Sequence, residues 1–101
     1  MNFADQYNAK SIVDCVCRYY NLNSSDLLGK RRKQPIAEAR QVALYLIRKF
    51  TMLSLLQIGA MFEKNHATVI YSIRNIETAL QNHEPEIQWA VTDIVKTIHQ
   101  S

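Results

Sequence analysis

Apolar residues recur along this chain at spacings of three and four, the repeat that lays them on one face of a helix. Ile12, Val13, Val16 and Tyr19 or Tyr20 form the first stripe and predict a helix from about Ala9 to Tyr20, ended by Asn21–Asn23. Residues 1–8 are polar with a lone Phe3 and read as a frayed, flexible lead-in. Ser24-Ser25-Asp26-Leu27-Leu28 predicts one capped helical turn closed by Gly29. Ile36, Ala39, Ala43, Leu46, Ile47 and Phe50 predict a third helix. It opens at Gln34-Pro35, where the missing N–H of proline does no harm. Ser54 can cap a short helix with Leu55, Ile58, Met61 and Phe62 on one face. Glu63-Lys64-Asn65 break it, and Asn65 can cap a longer helix from His66 to about Asn82, with Val69, Ile73, Ile76 and Leu80 inward. His83-Glu84-Pro85 stop that helix, and Pro85 starts a last one on Ile87, Val91, Ile94 and Ile98.

The pattern predicts an all-α domain of about six helices over residues 9–101. Ser54–Ile76 reads as helix, tight turn, helix. Gly59 sits inside the first of these helices, where it costs about 1 kcal/mol against alanine. A bare glycine makes most sense there if another helix must approach closely. The second helix turns His66, Ala67, Thr68, Tyr71, Ser72 and Asn75 partly or wholly outward. A start crowded with small and hydrogen-bonding residues suits a helix that enters a DNA major groove. Spacing alone fits a plain helical hairpin equally well.

Charge shifts that balance. From Lys30 to Arg74 there are nine Lys/Arg against Glu38 and Glu63, while the rest of the chain holds three against seven, within a net +3. Basic charge is thus concentrated around the helix-turn-helix, which favours a polyanionic partner. The run Lys30-Arg31-Arg32-Lys33 reads as a backbone clamp or an arm into a minor groove. Cys15 and Cys17, two apart on a helix, are poorly placed for a disulfide and lack the further ligands of a zinc site, so two structural thiols are expected. No run of 18 apolar residues exists to span a membrane. An enzyme is not expected: His66 has no Asp, Glu, Ser or Cys placed by sequence to act with it, and no metal or cofactor is implied. Trp89 lies off the last stripe and is expected to cover the end of the core; the other reading is an exposed anchor for a partner.

Four blocks in register, YYNLNSSDLLGKRR, AEARQVALYLIRKFT, SLLQIGAMF and KNHATVIYSIRNIE, resemble the C-terminal DNA-binding domain of DnaA, the bacterial replication initiator. The similarity covers roughly Ile12 to Ile98. It implies a six-helix Trp-repressor/DnaA C-terminal-like fold whose helix-turn-helix reads duplex DNA in a bacterial, cytoplasmic, nucleoid-associated setting. The minor-groove arginine of the family falls on Arg32 and its major-groove arginine on Arg40, with Gln41 beside it on phosphate. The lysine that commonly follows is Arg48 here. The signature of a basic residue, Asp, His, Thr, Thr and Val becomes Lys64, Asn65, His66, Ala67, Thr68 and Val69.

Departures from that signature matter for readout. Asn65 stands for an aspartate and Ala67 for a threonine, Glu63 for a glycine, Leu56 for a frequent proline, and Asn75 for a basic residue. Losing two base-reading groups costs discrimination at about 1–3 kcal/mol per good contact, and an asparagine can read adenine instead. The expected function is duplex DNA binding with altered sequence preference, linked to replication initiation or its regulation. The competing reading is a protein-interaction or regulatory module, with a replication-initiation protein as partner, that keeps the fold and binds DNA weakly. With glycine only at positions 29 and 59, the chain has no G-x-x-x-x-G-K-[ST] phosphate loop. It reads as an excised domain or as a stand-alone small protein, and its oligomeric state is not encoded legibly.

Overall fold

The computed structural model describes residues 3–29 and 34–100, and every regular element among them is a helix. The basic run Lys30, Arg31, Arg32 and Lys33 lies outside the described residues. The elements are α1 (Phe3–Tyr20), α2 (Ser24–Leu28), α3 (Gln34–Phe50), α4 (Leu55–Met61), α5 (His66–Gln81) and α6 (Pro85–Gln100). These are the six that the spacing predicts. One boundary differs: α1 begins at Phe3 rather than near Ala9. No glycine or proline interrupts residues 3–20, so the polar first turns can extend the helix.

α3 is the central strut. It packs against α1, α2, α4 and α5, and α6 closes the bundle against α1 and α5. Its buried set of Ile36, Ala39, Val42, Ala43, Leu44, Leu46 and Ile47 is wider than a single stripe. Val42 and Leu44 are buried because partners lie on more than one side of the helix, which is how an all-round apolar segment is accommodated. Phe62, at the end of α4, is the largest fully buried side chain and joins Ile58, Leu53 and Ile76 in the same core. Cys15 and Cys17 are both free and buried, and both belong to the hydrophobic core. Burial pushes the Cys17 thiol above its ordinary pKa, with Asp14 and Asp26 adding to the shift. The Tyr20 hydroxyl donates to Glu38 Oε2 at 2.7 Å and ties α1 to α3. Burial, then that hydrogen bond, raises the Tyr20 pKa far above the usual phenol value.

Side chains cap three of the helix starts. Asn23 and Asp26 form a reciprocal box on α2, and Ser54 and Gln57 form another on α4. At the other ends, Asn21, Glu63 and His83 adopt left-handed φ of 57°, 54° and 55° after α1, α4 and α5. In each case the next residue's N–H reaches back to a carbonyl in the last turn: Leu22 to Cys17, Lys64 to Gly59, Glu84 to Ala79. These are Schellman closures made without glycine. Gly29, expected to close α2 in this way, has an extended φ of −86°. Its bareness instead clears the Ser25 carbonyl, which a Cβ would approach to 2.7 Å.

Trp89 does not cover the core. It is 66% exposed, because α6 turns Ile87, Ala90 and Ile94 inward and Trp89, two residues past Ile87, faces the other way. Among the described residues no helix is long and apolar enough to cross a membrane.

Candidate nucleic-acid interface

α4, the three residues after it and α5 make a compact angle whose vertex is Gly59. The Gly59 carbonyl accepts N–H bonds from Phe62 at 3.1 Å and Lys64 at 2.8 Å, folding the turn onto the helix it leaves. A Cβ on Gly59 would collide with the Lys64 carbonyl oxygen and meet Val69 Cγ2 at 3.5 Å. The glycine is there for a close approach, and what approaches is the turn and the first inward residue of α5.

Glu63 occupies the left-handed position of that turn with its side chain exposed. A non-glycine residue there costs about 1–2 kcal/mol, partly offset by the greater unfolded-state freedom of glycine. Glu63→Gly is expected to raise unfolding free energy by about 0.5–1 kcal/mol. It also removes a carboxylate from beside the start of α5, so affinity for a polyanion should rise with it. Chemical denaturation and a duplex titration check the two effects; a stability loss would mean that Glu63 makes a compensating contact.

α5 presents its first turn openly. Asn65, His66, Ala67 and Thr68 are all exposed, and Tyr71, Arg74 and Asn75 continue the outward side. Asn65 Oδ1 accepts from Thr68 N at 2.8 Å, so the side chain caps the helix with its carbonyl and keeps its NH2 for other use. Ser72, expected to face partly outward, is 5% exposed. It sits one turn from both Val69 and Ile76, and a small residue suits the tight contact between α3 and α5. Lys64 is half-buried at the turn. Arg48 is exposed on α3, with Nη1 donating to the Leu53 carbonyl at 3.1 Å, which places its cation at the junction leading into α4.

Arg40 is the residue whose placement differs most from expectation. A major-groove role implies an outward side chain, yet Arg40 is 7% exposed. Nε donates to the Leu27 carbonyl at 2.8 Å and Nη2 to the Asp26 carbonyl at 3.2 Å. A five-residue helix leaves its last carbonyls without intrahelical partners. The guanidinium satisfies two of them and fastens α2 to α3. Burial pulls its pKa below the ordinary arginine value.

Gln41, next along α3, is half-buried, and its Oε1 accepts from Asn75 Nδ2 at 2.8 Å. That bond bridges α3 to the outward side of α5. The sequence places Asn75 on the outward side of α5, at a substituted position, and it is exposed as expected. Spacing within one helix gives no signal of a side-chain bond across 34 residues. Among the described residues no cluster of His, Cys, Asp or Glu could hold a metal ion.

An all-helical domain with an open recognition-type helix after a tight turn, set in a basic stretch of chain, is a helix-turn-helix DNA-binding domain. The family model described as "Bacterial dnaA protein helix-turn-helix" matches residues 9–76, and the chain belongs to that family. It is 39% identical over 83 residues to the "Chromosomal replication initiator protein DnaA" of Thermoanaerobacter sp. (strain X514), covering 82% of this chain and 19% of that protein. It is 41% identical over 99 residues to the protein of the same name from Corynebacterium aurimucosum, covering 94% of this chain and 18% of that one. A solved structure described as a DNA replication initiation factor superposes with a TM-score of 0.77 at 30% identity, over 93% of this chain and 30% of the other. The chain spans about a fifth of the length of these curated relatives.

Proposed function

We propose that this domain binds duplex DNA selectively, with a preference shifted from that of its relatives, in the initiation of bacterial chromosome replication or its regulation. The observation that carries the reading is the first turn of α5, four consecutive exposed residues held by a cap on a geometrically fixed turn. Base contacts fall to Asn65, His66, Ala67 and Thr68, and phosphate contacts to Gln41, Arg48, Lys64 and the run Lys30, Arg31, Arg32 and Lys33. The setting is the bacterial cytoplasm, on the nucleoid.

The Asn65 cap gives the altered preference a direction. With its carbonyl on the Thr68 amide, the side chain turns donors outward. Donors favour acceptor-rich edges, guanine N7 and O6 or thymine O4, over a bidentate grip on adenine that needs both amide atoms. An aspartate can cap equally well and present its second oxygen to the cytosine or adenine amino group. Ala67 offers only a methyl, which suits a thymine methyl.

Selection of duplexes from a random pool at two salt concentrations tests the reading. Affinity should fall with a log–log salt slope of about −4.5 to −6.3, from about five to seven phosphates neutralised. The selected site should carry guanine or thymine at the base facing Asn65, changing to cytosine or adenine in Asn65→Asp. An unchanged base there would remove Asn65 from the readout.

A second reading rests on α6. Trp89 is exposed, and Glu86 and Asp93, one turn away on either side, are exposed with it. An acid-flanked tryptophan suits a protein partner such as a replication-initiation protein. Salt-insensitive association with a protein, in the absence of duplex affinity, would favour this reading over the first.

A further inference from the structure

Thr68, Tyr71 and Asn75 follow one another at helical spacing and are all exposed, making a line along α5 that starts at its open first turn. The line ends on α3, where Asn75 Nδ2 donates to Gln41 Oε1 at 2.8 Å. That bond sets the polarity of Gln41. Its oxygen is turned toward Asn75, which orients its NH2, a donor group, away from Asn75. Two groups nearby decide what ligand fits. Glu38, one turn before Gln41 in the same groove, has Oε2 held by the Tyr20 hydroxyl on α1. Arg74 is exposed on α5 beside Asn75 and adds a positive charge.

We propose that Asn75 is a positioning residue for DNA binding: it holds Gln41 with its NH2 outward, so that Gln41 donates to a backbone phosphate at the α3–α5 edge of the interface. The inference rests on the duplex-binding reading above and assigns Asn75 a part without requiring it to touch DNA. The contact is to phosphate, so it carries affinity and no base preference.

A double-mutant cycle on duplex affinity tests this, with Gln41→Ala, Asn75→Leu and both together, each also followed by thermal melting. Leucine matches asparagine in size and cannot hold the amide. Asn75→Leu should weaken binding about 3- to 10-fold on every duplex alike, the effect of one hydrogen bond. In the Gln41→Ala background the same change should cost almost nothing. Asn75→Asp can only accept, so it draws the Gln41 NH2 inward and turns its oxygen toward the phosphate. It should therefore weaken binding more in the Gln41 chain than in the Gln41→Ala chain, where only charge repulsion remains. Equal losses in both backgrounds, or a melting change with affinity unaltered, would overturn the positioning role while leaving duplex binding intact. Absence of duplex affinity in the unaltered chain would overturn both.

Discussion

Arg40→Ala is expected to lower the unfolding free energy by about 2–4 kcal/mol, because a buried carbonyl and a half-buried one lose a charged donor. The loss should be local in origin. α2 has five residues, too few to persist without its tie to α3. Leu27, fully buried beneath it, would lose its seat in the core. Duplex affinity should fall with stability and by a similar factor on every sequence, since α2 would no longer be fixed against α3. Arg40→Lys should recover only part of either, because a single ammonium cannot reproduce the planar, two-point donation of the guanidinium. Urea unfolding and a pool-selection profile read the two effects. Preserved stability with preference flattened at one base pair would show that Arg40 reads a base, the role its family position implies.

Gly59→Ala should act in the opposite sense to the usual rule. On an exposed helical face, alanine for glycine gains up to about 1 kcal/mol. Here the new methyl meets backbone, the Lys64 carbonyl, which cannot step aside as a flexible side chain would. The turn must open, weakening the Lys64 N–H bond to the Gly59 carbonyl and shifting Val69 in the core. A net loss of about 2–3 kcal/mol is expected, the scale of overpacking in a tight core. Duplex affinity, measured at a temperature where both proteins remain folded, should drop at least tenfold as the α5 start moves away from Arg48 and α4. A stabilised Gly59→Ala protein would refute the close approach.

The order and number of helices were legible because caps and prolines punctuate this chain clearly. Ser54, Asn65 and Pro85 each stand at a helix start. The Gly59 approach was readable too, since a glycine inside an otherwise good helix calls for a steric reason. Arg40 was not, because a periodic pattern sorts residues by the polarity of their ends. A long side chain can bury its stem and deliver its charge to the backbone of another helix, which no spacing within its own helix reports. Ser72 escaped for the converse reason: a small polar residue is as much at home in a close helix contact as on the surface. Trp89 was read by its type, and its true exposure follows from its angular position relative to Ile87. Positions 64–68 are proposed from the motif. What the motif lacked was the polarity of Asn65, which depends on which atom the cap consumes.

The three helices closed by Asn21, Glu63 and His83 bear on how far the chain can vary. Each holds a left-handed backbone that glycine adopts more easily, and asparagine tolerates it best of the three. Replacing Glu63 and His83 by glycine would recover about 0.5–1 kcal/mol each, in a domain whose whole stability is on the order of 5–15 kcal/mol. Neither position belongs to the exposed turn Asn65–Thr68 or to the Gln41–Asn75 pair. His83 therefore offers unused tolerance away from the recognition surface, while Glu63 offers it at the surface's edge. A lineage that acquired those glycines would have room for destabilising changes in the recognition helix, so that new base preferences could be tried without loss of the fold.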